Sequence, residues 1–368
     1  MYVGLDVHKD FCQAAFVSSK GKVVKEKSFK NNTEGLEELA KATRKHNVVI
    51  ESSSSSMRVY DALSKTCKVK VAHPAKVKAI ASARIKTDKI DARILAQLLR
   101  ADLIPESFVP CVAHRQARLL VRHRASLVWA RTRIKNQIRS LLTKEGVEIP
   151  FDKPFGKKGL SFLRTTEIGE IQRISLDTML YMLDALNTKI EEADKHIENF
   201  ASQDAYAKLL VTMPGVSWFS ALVISSEICN IKRFESHKKL CSYAGLVPSV
   251  YQSGNTDRKG HITKQGSRML RWILIQDARS AVKHSTRFAK KYRKLAKRIG
   301  EKKAIVAIAR NICVSTYFML VKNEVFREES KGGISVGFRG HKDRSRRLDS
   351  SPPHDLTPCA VSTNRRMS

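Results

Sequence analysis

The sequence has little that would tie the chain to a membrane, a disulfide framework or a zinc ribbon. Its N-terminus, MYVGLDVHKDF, lacks a charged start followed by an apolar run, so no signal peptide is expected. No apolar segment is read as approaching 18 residues, and no transmembrane helix is expected. The seven cysteines, at 12, 67, 111, 229, 241, 313 and 359, include no C-x-x-C pair, which argues against zinc and disulfides and for a reducing compartment. Aromatic residues are scarce at 7%, so stacking on single-stranded bases is not the dominant signal. Acidic residues are outnumbered: 35 Asp+Glu stand against 68 Lys+Arg.

That last imbalance carries the most information. A net charge of +33 attracts a polyanion, and nucleic acid is the commonest one. A membrane surface is the rival, but no strong basic amphipathic anchor is evident. The hydrophobic fraction of 42% and charged fraction of 28% suit a globular chain, and 368 residues suffice for two or three cored domains. A cytoplasmic, nucleoid-associated protein is expected.

Along the chain, YVGLDV reads as a buried strand, FCQAAFVS and VVKEKSF as a hairpin, NTEGLEELAKATRKH as a helix and VVIE as a short buried strand. A helix, a strand stopped by Pro74 and a mostly helical 75–103 follow. Three strands and then alternating helix and strand is the order of an α/β RNase H-like domain, placed at 1–106. Residues 107–205 read as two long amphipathic helices, a helical hairpin or coiled coil suited to oligomerisation. Residues 206–326 form a third, mainly α region, in which Pro214-Gly215-Val216 resembles a helix-hairpin-helix turn suited to a phosphate. The stretch GLVPSVYQSGNTDRKGHITKQG is read as a loop, and 327–368, rich in Gly, Ser, Pro and charge, as a disordered tail.

Within KTDKIDARILAQLLRAD, Asp88 and Asp91 share one turn of a helix, where they repel each other. Each has an ordinary explanation in the helix macrodipole, or in neutralisation by Lys86, Lys89 and Arg93. Asp6 in a strand demands hydrogen bonds, a cation or a metal, and Glu51 ends the next buried strand, where parallel pairing would bring it beside Asp6. Together the four make an acidic cluster suited to Mg²⁺, and two such ions about 3.5–4 Å apart clamp a phosphodiester during in-line displacement.

The segments GLDVHK, VVIES, HPAKVKAIASARIKTDKIDARILAQLL, MPGVSWFSALVISSEI and YAGLVPSVYQSGNTDRKGHITKQGSRMLRWILIQDA carry a resemblance. In this order the chain resembles the DEDD insertion-sequence transposases, relatives of the pilin-gene DNA invertases, whose N-terminal domain is similar to the RuvC Holliday-junction resolvase. The resemblance implies catalytic, metal-binding acids at Asp6, Glu51, Asp88 and Asp91, and a nucleophilic serine at Ser253, followed by Gly254. It also implies Mg²⁺, recombination through a serine–DNA phosphoester, a structured non-coding guide RNA, and donor and target DNA as partners. One departure is the SSSSSM run after Glu51, where the family pattern has glycines.

Ser253 alone would pass for a solvated loop serine, since a hydroxyl needs a base, a metal or strong electrostatic help to attack. Arg258, Lys264, Arg268 and Arg271 follow it and would steady charge on a phosphorane. Ser267 reads better as a helix N-cap. On the Arg-rich helix, Arg118, Arg122, Arg131 and Arg139 are candidates for RNA or DNA phosphates. A homo-oligomer, dimer or tetramer, would let acids and serine come from one chain or two. Two other functions share these features: a RuvC-like Mg²⁺-dependent nuclease or junction resolvase using water, and a non-catalytic nucleic-acid-binding protein.

Overall fold

The computed structural model describes residues 1–81, 87–253, 256–330 and 333–335, the side chains of 250–259 and 329–335 excepted. The chain divides into two compact units, Met1–Pro110 and Cys111–Ser368.

Among the described residues the first unit holds a five-stranded sheet and four helices. Strands β1 (Tyr2–Val7), β2 (Phe11–Val17), β3 (Val23–Lys30), β4 (Asn47–Glu51) and β5 (Lys68–Ala72) take the order β3-β2-β1-β4-β5. The first three pair antiparallel, and β4 and β5 then join parallel to β1. Helices α1 (Thr33–Thr43), α2 (Ser56–Leu63), α3 (Pro74–Ile80) and α4 (Asp88–Arg100) cover it. This mixed α/β layout is compatible with an RNase H-like domain. Strand alternation decides which residues face which layer. Val3, Leu5, Val7, Val48 and Ile50 pack with Leu36, Leu39, Val59 and Leu63 of α1 and α2. Val49, on the opposite face, packs with Leu95, Leu98 and Leu99 of α4.

Gly4 and Asp6 share that second face. A Cβ at Gly4 would meet the Ala92 carbonyl oxygen at 2.1 Å and the Ala96 nitrogen at 2.5 Å, so only glycine lets α4 lie directly on β1. Arg93 holds the same helix to β3 by a two-pronged ion pair with Glu26, at 2.5 and 2.7 Å. It is thereby committed elsewhere than to the aspartates on its own helix.

The second unit is mainly helical: α5 (Val112–Lys144), α6 (Lys157–Thr165), α7 (Glu170–Ala201), α8 (Ala205–Leu210), α9 (Trp218–Ile228) and α10 (His237–Tyr243). These precede strands β6 (Pro248–Ser253) and β7 (Thr256–Ile262), then α11 (Arg268–His284), α12 (Thr286–Ile299), α13 (Glu301–Lys322), β8 (Glu328–Ser330) and β9 (Gly333–Ser335). Helices α5 and α7 each take part in two cores. At one end Ala117 and Val121 of α5 and Ile197 and Ala201 of α7 join the large core around α9, α11 and α13. At the other, Ile138 and Leu142 meet Leu176, Leu180 and Leu183, closed by Leu163 of α6.

Three sequence expectations are corrected. The segment expected to be a loop contains an antiparallel β6–β7 pair, with Tyr251 opposite Arg258 and Gln252 opposite Asp257. The signal passed over was Gly254-Asn255, a two-residue hairpin dipeptide between β-prone stretches. Helix α13 is, by length and composition, apolar enough to cross a membrane, contrary to the expectation that no such run exists. It buries Ile308, Ile312, Met319 and Leu320 in the large core, so its apolarity serves packing. Residues 327–330 do not join the expected disordered tail: Glu328 Oε1 accepts hydrogen bonds from Ser285 Oγ at 2.5 Å and Arg287 N at 3.2 Å. The remaining tail, 336–368, lies outside the described residues.

Candidate functional site

Asp6 and Glu51 lie at the carboxyl ends of the central parallel strands β1 and β4. The last β1–β4 pair is Leu5 opposite Ile50, so Asp6 and Glu51 come next on adjacent strands. Parallel register directs both to the α4 face. Helix α4 begins over that edge. Thr87 caps it by accepting a hydrogen bond from Ile90 N at 3.3 Å, which puts Asp88 and Asp91 in the first turn.

His8 completes the corner. Two residues beyond Asp6, its Nε2 lies 3.1 Å from Asp6 Oδ2 and 3.2 Å from Asp88 Oδ1. The three donor atoms all lie within 4.8 Å of one another, the spacing of a metal-ligand group. Backbone contacts hold the histidine there: its N–H donates to Phe11 O at 2.9 Å, and its carbonyl accepts from Asn31 Nδ2 at 2.8 Å. The ring stacks on Phe11 with centroids 4.8 Å apart. Burial pushes the Asp6 carboxyl above its ordinary range; His8 pulls it down, and the charges of Asp88 and Asp91 push it up again. A cation would favour the charged carboxylates at this corner. His8 is a site residue that the sequence patterns do not single out; its i+2 spacing from a strand aspartate is the signal available.

The serine run after Glu51 builds the turn into α2. Ser56 Oγ donates to Ser53 O at 2.9 Å and accepts from Ser53 N at 3.1 Å. Side-chain hydroxyls here replace glycine as the means of turning the chain.

In the second unit Ser253 is the last residue of β6, opposite Thr256. The side chains of Ser253 and Arg258, and all of Gly254, lie outside the described residues. Lys264 is exposed with φ +54°, and Arg268 is exposed in the first turn of α11. Arg271 is half-buried and donates to Ala244 O at 3.2 Å. Ser267 caps α11, accepting from Leu270 N at 3.1 Å and donating to Glu227 Oε2 at 3.1 Å.

Much of the arginine stripe on α5 is engaged inside the fold. Arg118 donates to Ser226 O at 2.8 Å, and Arg122 to Glu227 Oε1 at 2.7 Å. Arg131 donates to Asn187 Oδ1 at 3.2 Å, and Arg139 lies 5.2 Å from the Phe155 ring centre. Gly215, in the turn read as a phosphate site, has φ +88°, and its Cα faces α11: an added Cβ would sit 2.5 Å from Ala281 N. Close helix packing therefore accounts for this glycine.

Residues 3–145 match the family model DEDD_Tnp_IS110, described as a transposase. Residues 207–293 match the model described as the transposase IS116/IS110/IS902 family. The transposase for insertion sequence element IS1111A of Coxiella burnetii is 28% identical over 256 residues, 66% of this chain and 68% of that one. The transposase for insertion sequence element IS1328 of Yersinia enterocolitica is 27% identical over 160 residues, 44% of this chain and less than half, 48%, of its own. The pilin gene-inverting protein of Moraxella lacunata is 25% identical over 344 residues, 88% of this chain and 97% of its own.

Proposed function

The chain belongs to the DEDD insertion-sequence transposases, and from that premise we propose that it cuts and rejoins DNA strands using metal-holding acids in its first unit and Ser253 in its second. The observation that carries the metal half is the convergence of Asp6, His8 and Asp88 donors within 4.8 Å of one another. Two carboxylates and an imidazole, brought together from the end of β1 and the start of α4, fit a divalent cation. Asp6, Asp88 and His8 would hold it, with Glu51 and Asp91 on the same α4-facing corner. When bound, the metal supplies Lewis-acid stabilisation of charge on a phosphodiester.

The chain's own residues do the rest. Gly4 and the Arg93–Glu26 pair fix α4 over β1, so the carboxylates are positioned before substrate arrives. Ser253 Oγ forms a phosphoester with DNA as a bridging P–O bond breaks and a strand-end hydroxyl leaves; reversal of the step rejoins strands. Exposed Lys264 and Arg268, beyond the base of the β6–β7 hairpin, neutralise phosphate charge further along the DNA. The name of the Moraxella relative, a gene-inverting protein, supports strand exchange over simple hydrolysis. The net charge of +33 supports both DNA and a non-coding guide RNA as partners. Exposed Ile171, Ile174, Tyr181 and Met182 on α7 support a homo-oligomer built on the α5–α7 hairpin.

The test is a denaturant-resistant protein–DNA adduct. Full-length protein, divalent metal, junction DNA and flanking RNA are combined, with Ser253→Ala and Asp88→Asn in parallel. An adduct lost in both variants supports the proposal. Metal-dependent cleavage without an adduct, indifferent to Ser253→Ala, would replace it with a water-using nuclease.

A further inference from the structure

We propose that Trp129 and Trp272 form a stacking platform for unpaired bases of single-stranded nucleic acid, an inference that rests on the nucleic-acid reading above. The chain has three tryptophans, and these two, 143 residues apart, meet on the surface of the second unit. Their ring centroids are 6.1 Å apart, with the rings at 73°. Behind them Phe219 of α9 meets Trp272 edge to face at 6.2 Å. Arg124 lies 4.4 Å above the Phe219 ring and is itself locked to Asp194 by two hydrogen bonds at 2.8 and 3.1 Å. Trp129 is therefore braced from within, yet 56% of it is open to solvent.

A braced, exposed indole is costly to leave in water and loses little entropy on binding. The surrounding charge identifies its partner. Helix α5 carries no Asp or Glu in its 33 residues, and the single acid of α11, Asp277, is 2% exposed. Arg133, four residues after Trp129, and Arg268, four before Trp272, are both exposed and lie one helical turn from each ring. Aromatic faces flanked by Arg133 and Arg268 suit a base with its phosphates on either side. A duplex offers no free base face, so the platform selects unpaired strands. It reads no sequence, since every base has a π-face.

The experiment titrates full-length wild type, Trp129→Leu and Trp129→Phe with oligo-U, oligo-dT and a duplex of equal length, following affinity and tryptophan quenching. The expected result is a loss of about 10-fold or more for Trp129→Leu on single strands, with Trp129→Phe retaining most of the affinity. Duplex affinity and the salt dependence of binding stay unchanged, because no phosphate contact is removed. The ratio of the oligo-U to the oligo-dT loss identifies which strand the platform prefers. Equal loss on duplex and single strand, or no loss with wild-type quenching, would overturn the platform while leaving nucleic-acid binding intact. Failure of wild type to bind any of the three would overturn both.

Discussion

The Cα of Gly4 lies so close to α4 that an added Cβ would stand 2.1 Å from the carbonyl oxygen of Ala92. That single approach sets the distance between the strand bearing Asp6 and the helix bearing Asp88 and Asp91. Gly4→Ala should lift α4 and cost about 1–3 kcal/mol as an overpacked core. Thermal unfolding and divalent-metal titration of one sample would check it, both declining together. A stable Gly4→Ala protein with unchanged metal affinity would show that α4 can shift without opening the corner.

His8 should tune which cation binds. Imidazole favours transition metals over Mg²⁺, so the wild type should hold Mn²⁺ more tightly than Mg²⁺. His8→Ala should weaken Mn²⁺ about 10-fold or more and change Mg²⁺ less. Calorimetric titration with each metal gives the ratio. Equal losses for both metals would mean His8 only steadies the carboxylates.

Asp277 should make stability fall with rising pH. Burial raises its carboxyl from the ordinary 3.8 to about 7, against a smaller lowering by the Ser220 hydrogen bond. The folded state thus holds a proton that the unfolded chain gives up above pH about 4. The neutral group's contribution is complete below that point and is lost as pH climbs through about 7, on the order of 4 kcal/mol in all. Asp277→Asn should flatten this slope in denaturant melts between pH 5 and 8. A variant with the wild-type slope would assign the pH dependence to other groups.

Glu227 should matter far more than its partner on the surface. Its side chain is 4% exposed and receives Arg122 at 2.7 Å, Arg118 at 3.6 Å and the Ser267 hydroxyl at 3.1 Å. Glu227→Ala leaves the largely buried Arg118 without its anion and should cost about 3–5 kcal/mol. Arg122, 56% exposed, should cost about 1 kcal/mol or less when replaced by Ala. Denaturant midpoints of the two variants test the ranking, which fails if they are equal.

The contrast between those two residues also marks what a sequence can disclose. Alternation in YVGLDV and VVIE suffices to predict two buried strands, and the i, i+3 aspartates announce a shared helix face. Both depend on neighbours within a few residues. The engagement of Arg118 and Arg122 by Glu227 joins positions more than a hundred residues apart, and nothing in the arginine spacing separates a buried clamp from a phosphate contact. Trp129 and Trp272 are hidden for the same reason: two isolated indoles look like scarcity until the helices cross. His8 is different. Its position two after Asp6 was readable, but a lone histidine after a strand has too many ordinary explanations to stand out.

Helices α5 and α7 are each continuous through two hydrophobic cores, one shared with α9, α11 and α13 and one closed by Leu163. At about 1.5 Å per residue, the 33 residues of α5 form a rod about 50 Å long. Such a rod works as a lever. A tilt of about 5° at its root would sweep the far end by about 4 Å, and the root cannot turn without disturbing the core that Ala117 and Val121 share with α9, α11 and α13. Whatever grips the distal end of the hairpin therefore holds mechanical advantage over the core shared with α9, α11 and α13.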